Sequence, residues 1–176
     1  AAAESVFRLL DTPGEPDNGT VEAGRVRGEL EFRHLTFAYP EGGTVLKDIN
    51  LVIPAGKTVA LVGRSGSGKS TLVNLLPRFY ECEEGQILLD GLPLQAYTLA
   101  SLRQQIATVN QKVVLFDTTI ASNIAYGALA QSGMAEVEKA ARAAYAHEFI
   151  EKLADGYQTR IGQDGTQLSG GQRQRV

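Results

Sequence analysis

The residues Gly63, Arg64, Ser65, Gly66, Ser67, Gly68, Lys69, Ser70 and Thr71 fit the spacing G-x-x-x-x-G-K-[ST] at every fixed position. Glycines at 63, 66 and 68 free the backbone to turn successive N–H groups inward, which is how a loop receives phosphate oxygens. Lys69 adds a compact positive charge for the outer phosphates. The Ser70 hydroxyl is a hard oxygen donor suited to a Mg²⁺ that those phosphates also hold. The chemistry predicted is the binding of a magnesium nucleotide.

Such a loop works only between a strand and a helix. Thr58 to Val62 is a short β-branched apolar run that predicts a buried strand, and Ser70 to Leu76 predicts a helix ended by Pro77. Upstream, Leu30, Phe32, Leu35, Phe37 and Tyr39 alternate in part, as do Ile49, Leu51 and Ile53 beyond the turn Glu41-Gly42-Gly43. Both read as antiparallel strands. Gln86 to Asp90 reads as another strand, closed by Gly91, with Asp90 belonging to the turn rather than to a metal. Thr98 to Gln105 predicts a helix, Ile106 to Val109 a short strand, and Met134 to Ala146 and His147 to Leu153 further helices. Ala1 to Leu10 groups its apolar residues like the last turns of a helix, and the Gly/Pro/Asp-rich stretch after it reads as a surface linker. The fold class expected is α/β, with an antiparallel β subdomain and a helical subdomain beside the phosphate-loop core.

With 176 residues the chain can bury one sizeable core. A net charge of −3 gives no basic field, so no nucleic-acid partner is expected. The single cysteine, Cys82, excludes an internal disulfide and suits a reducing compartment. No uninterrupted apolar run approaches the roughly 18 residues of a membrane span. His34 and His147 read as surface residues. The chain opens on Ala1-Ala2-Ala3 and stops at Val176 inside a helix-like stretch, so it is expected to be a fragment.

A second constellation follows far downstream at Leu168-Ser169-Gly170-Gly171-Gln172. Alone it is a helix cap. Beside the phosphate loop it reads as a second anion receptor, because Ser169 can cap a helix whose first N–H groups are unobstructed at Gly170 and Gly171.

The two motifs together resemble the nucleotide-binding domain of ATP-binding cassette (ABC) transporters, whose signature is this Leu-Ser-Gly-Gly-Gln. The resemblance covers nearly the whole chain. Val59 to Thr71, Phe116 to Tyr126 and Leu168 to Val176 look most like bacterial half-transporter exporters, and among these the exporters of lipid A. It implies a P-loop NTPase core using ATP and Mg²⁺, in a protein that couples ATP binding and hydrolysis to moving lipid A or a related lipid. A multidrug or peptide exporter is the alternative cargo class; a soluble cassette ATPase is disfavoured by the linker start and the lack of basic patches.

Carried over by residue, Tyr39 would stack on adenine, although by itself it reads as a core aromatic of a strand. Gln111 would sense Mg²⁺ and the attacking water, although by itself it is an amide in a polar break. Ser169, Gly170, Gly171 and Gln172 would contact ATP held by a second copy. A head-to-tail homodimer around two ATP molecules is therefore implied, joined to a transmembrane domain of the same polypeptide at the cytoplasmic face of the inner membrane. The implied boundaries are the end of a helix over 1–10, a linker over 11–27, the β and P-loop core over 28–97, a helical subdomain with Gln111 over 98–167, and the signature over 168–176.

The pattern departs at Thr159-Arg160-Ile161-Gly162, where Gln163 and then Asp164 follow instead of the family's glutamate. That puts a contact with the partner's membrane domain in doubt. The family's catalytic glutamate and switch histidine lie past its signature helix, and these residues hold neither. By themselves they are expected to bind nucleotide and dimerise without turnover, since phosphoryl transfer also needs a group that orients water.

Overall fold

The computed structural model describes residues 7, 10–12, 14–82, 84–110, 112–162, 165 and 167–176. They form two compact units, Ala1–Ala107 and Thr108–Val176. The predicted N-terminal helix falls almost wholly outside the described residues.

The first unit is built on a four-stranded sheet in the order β2-β1-β3-β4, comprising β1 (Leu30–Ala38), β2 (Thr44–Ile53), β3 (Glu84–Leu89) and β4 (Leu92–Pro93). Every pairing is antiparallel. The imperfect alternation of β1 has a physical cause. Its register slips between Phe32 and Leu35 against β2, and between Arg33 and Thr36 against β3, with His34 at φ 48°. The extra residue of this bulge returns Leu35 and Phe37 to the face of Phe32, and all three are buried. Leu46, Ile87, Leu89 and Leu94 complete that core with the helices α1 (Lys69–Asn74) and α2 (Leu99–Gln104). Thr98 caps α2 by accepting from the Ser101 N–H, and Leu102 buries its side chain completely.

The stretch ahead of β1 is exposed yet tied down. The Thr20 and Val21 amides donate to the Ala96 carbonyl at 3.0 and 2.9 Å, and the Ala23 amide donates to Ser101 Oγ at 2.9 Å. Gly19 is required here, since a Cβ would collide with the Tyr97 carbonyl. Arg103 joins both sides of this strap: its guanidinium donates to the Glu15 carboxylate, and its Nε donates to the Pro77 carbonyl at 2.8 Å.

The second unit packs α3 (Ile120–Ile124), α4 (Met134–Ala143), α5 (His147–Ile150) and α6 (Gly170–Arg173) around Leu115, Ile120, Ala141, Ala146, Ile150, Ile161 and Leu168. Asn123 fixes the approach to α3 by bonding both the N–H and the carbonyl of Phe116.

Three expectations are corrected. Thr58 to Val62 forms no strand and is exposed throughout, Val62 to 93 %. Among the described residues no strand lies beside it, and a run without ladder partners cannot be a sheet member. Ile106 to Val109 likewise remains irregular for want of a pairing partner. His147 is buried, because Tyr157 covers it with a 2.8 Å hydrogen bond at Nδ1 and Glu151 meets Nε2 at 3.1 Å. His34 is exposed, as expected.

Candidate functional site

The phosphate loop closes on itself just before α1. Gly66 and Gly68 take φ values of 80° and 83°, a region open to glycine at little cost. At Gly68 the space is also filled, since a Cβ would stand 2.7 Å from Leu46 Cδ2. Residues Ser65 to Thr71 and Val45 line a cleft of about 340 Å³. Lys69 curls over it, with Nζ donating to the carbonyls of Gly63 at 2.9 Å and Arg64 at 2.8 Å, and to Ser67 Oγ at 3.3 Å. The ammonium therefore ties the start of the loop to its middle.

Ser70 lies at the second position of α1, exposed to the same cleft. Among the described residues no cluster of His, Cys, Asp or Glu could hold a metal unaided. One hydroxyl at a phosphate cradle fits Mg²⁺, which keeps few protein ligands and completes its octahedron with phosphate and water oxygens. The residues present thus suit a metal that arrives with a nucleotide.

Tyr39 stands beyond the end of β1, half-buried, with Thr36, Pro40, Thr44 and Tyr80 around a neighbouring cleft of about 520 Å³. Its ring meets Phe37 and Tyr80 in T-shaped contacts, each with centroids 5.0 Å apart, and its hydroxyl lies 3.0 Å from Thr71 Oγ1. One side of Tyr39 is packed, as in a core aromatic, and the residue borders the cleft. Tyr80 escaped the sequence reading. An aromatic just past the helix-ending Pro77, 41 % exposed, was the available signal.

Asp90 is a turn residue, as expected. Its carboxylate accepts from the amides of Arg27 at 2.6 Å, Gly28 at 3.1 Å and Glu29 at 2.9 Å. Burial works against its charge, but the Glu29 and Arg27 amides, the Arg27 cation and the Gly28 amide outweigh that and hold the carboxyl below its usual range.

In the second unit Ser169 caps α6 reciprocally. Its Oγ accepts from the Gln172 N–H at 3.2 Å while Gln172 Oε1 accepts from the Ser169 N–H at 2.8 Å. Added Cβ atoms at Gly170 and Gly171 would meet nothing within 4 Å, so this turn is open on its outer side. Leu168 anchors it in the core, and Arg173 Nη1 donates to the Leu168 carbonyl at 2.9 Å. Gln111, Gln163 and Asp164 lie outside the described residues.

A glycine cradle opening a helix beside an antiparallel sheet, with a capped Ser-Gly-Gly turn on a helical unit, defines a P-loop nucleotide-binding fold of the ABC ATPase type. Residues 46–176 match the family model described as ABC transporter, and the chain belongs to that family. It is 59 % identical over its whole length to an ATP-dependent lipid A-core flippase of Hahella chejuensis, and 58 % and 54 % identical to proteins of that name in Sodalis glossinidius and Legionella pneumophila. It spans 30 % of the length of each. A solved bacterial Atm1-family ABC exporter with ATP bound superposes with a TM-score of 0.84 at 40 % identity, over 98 % of this chain and 31 % of that one.

Proposed function

We propose that this chain is the ATP-binding part of an exporter that couples ATP binding and hydrolysis to moving lipid A-core, or a closely related lipid, across the inner membrane. The observation that carries the proposal is the likeness, over all 176 residues, to proteins named ATP-dependent lipid A-core flippases. In this reading Gly63 to Thr71 cradle the phosphates. Lys69 leaves its loop carbonyls for the outer phosphates, and Ser70 holds Mg²⁺ together with Gln111. The metal, when bound, neutralises charge developing on the transferred phosphoryl group. Tyr39 offers a ring face to the adenine.

Ser169, Gly170, Gly171 and Gln172 serve the ATP of a second copy. The open outer side of their turn at Gly170 and Gly171 supports that role. Two cassettes meet head to tail around two ATP molecules, and a transmembrane domain of the same polypeptide handles the lipid. Among the described residues no helix is long and apolar enough to cross a membrane. The domain boundaries read from the sequence form part of this proposal.

The test uses the full-length protein in proteoliposomes. Lipid A-core should stimulate ATP turnover and cross the bilayer only with ATP, and Lys69→Ala should abolish both. Turnover that persists in Lys69→Ala removes Lys69 from the phosphate site. Stimulation by hydrophobic drugs but not by lipid A favours the multidrug alternative.

A further inference from the structure

We propose that the Tyr39–Thr71 hydroxyl pair is a specificity device that fixes the offset between the base platform and the phosphate cradle, with Tyr80 as its backing residue. The inference rests on the reading of Tyr39 as the adenine platform and deepens it.

Thr71 follows the lysine and serine of the cradle on α1, and its side chain is only 7 % exposed. Thr71 lines the phosphate cleft, and its hydroxyl lies 3.0 Å from Tyr39 Oη, a link between groups 32 residues apart in sequence. Phe37 and Tyr80 brace the same ring at nearly right angles, 83° and 88°. A ring held by two aromatic contacts and one hydrogen bond has lost its rotamer freedom before ligand arrives, so stacking a base on it costs less ordering entropy. Because the third restraint comes from the phosphate helix itself, base and triphosphate are measured against one rigid element. A ligand lacking the base gains nothing from the pair.

The experiment compares Michaelis constants for ATP with inhibition by inorganic tripolyphosphate in the full-length protein. Tyr39→Phe and Thr71→Val each delete one hydroxyl and keep the shape. Each should raise KM for ATP about 3- to 10-fold, the value of one net hydrogen bond. Tripolyphosphate inhibition should weaken less than ATP binding in both variants, because only ATP carries a base for the ring.

The double variant should be no worse than the weaker single, because both remove the same interaction. Thr71→Ser should restore the wild-type KM, and Tyr80→Ala should act as Tyr39→Phe does. Additive single effects, or tripolyphosphate affinity falling in step with ATP, overturn the inference. Tyr39→Ala separates the two layers: if it leaves KM for ATP untouched, the adenine platform itself is wrong. If it weakens ATP while Tyr39→Phe and Thr71→Val do not, only the tether fails.

Discussion

Three glycine-to-alanine variants separate backbone strain from close packing. At Gly66, φ is 80° and nothing lies within 4 Å of an added Cβ, so alanine incurs only the left-handed penalty of about 1–2 kcal/mol. At Gly68, φ is 83° and the methyl also meets Leu46 Cδ2 at 2.7 Å and Val45 Cγ1 at 3.3 Å. Leu46 cannot retreat, being 4 % exposed in the core, and overpacking there adds about 1–3 kcal/mol. The sum is about 2–5 kcal/mol, or roughly 4–20 °C in melting temperature at the usual 2–4 °C per kcal/mol for a domain of this size. Gly170 sits in α6 with open space around it, so alanine should leave stability unchanged or raise it by about 0.5–1 kcal/mol. Thermal melting of the three purified variants should give the order Gly68→Ala, Gly66→Ala, then wild type, with Gly170→Ala equal to or above wild type. A Gly68→Ala protein that melts with wild type, or above Gly66→Ala, refutes the packing argument. Under the proposed role in trans, Gly170→Ala should still lose ATP turnover while staying folded.

Other outcomes follow from single contacts. Asp90→Asn keeps the turn but removes the charge that three amides solvate, and should cost about 1–2 kcal/mol at neutral pH. Because the folded carboxyl titrates below the unfolded one, that difference should be complete above about pH 4 and vanish as pH falls through the folded value, as read by denaturant titrations at several pH values. Arg103→Ala cuts the tie between Glu15 and the Pro77 carbonyl, and hydrogen exchange at the Thr20 and Val21 amides should quicken. Burial, aided by the Glu81 charge, pushes the Cys82 thiol up to about 11, so iodoacetamide should label it slowly at pH 7.5 until the protein is denatured.

Features that live in a few neighbouring residues were legible from the sequence. The glycine spacing of 63 to 68, the Ser169 cap and the Asp90 turn all depend on local backbone chemistry. The alternation of β1 also survived a bulge, because its buried residues still outnumber the slip. What failed depended on partners. Thr58 to Val62 has the composition of a strand, but pairing is a property of its neighbours. His147 looked polar and became core, since Tyr157, ten residues on, supplies its hydrogen bond. The Tyr39–Thr71 link was illegible for the same reason: two ordinary hydroxyls gain meaning only when folding brings β1 beside α1.

The curled Lys69 has a thermodynamic consequence. With Gly63 O, Arg64 O and Ser67 Oγ around its ammonium, the loop serves as its own surrogate ligand. Under the role proposed for Lys69, a triphosphate oxygen competes with those three oxygens for the N–H donors of the ammonium, and affinity reads the margin between charged and neutral acceptors. Under that role, a ligand with acceptors weaker than two carbonyls leaves the lysine where it is.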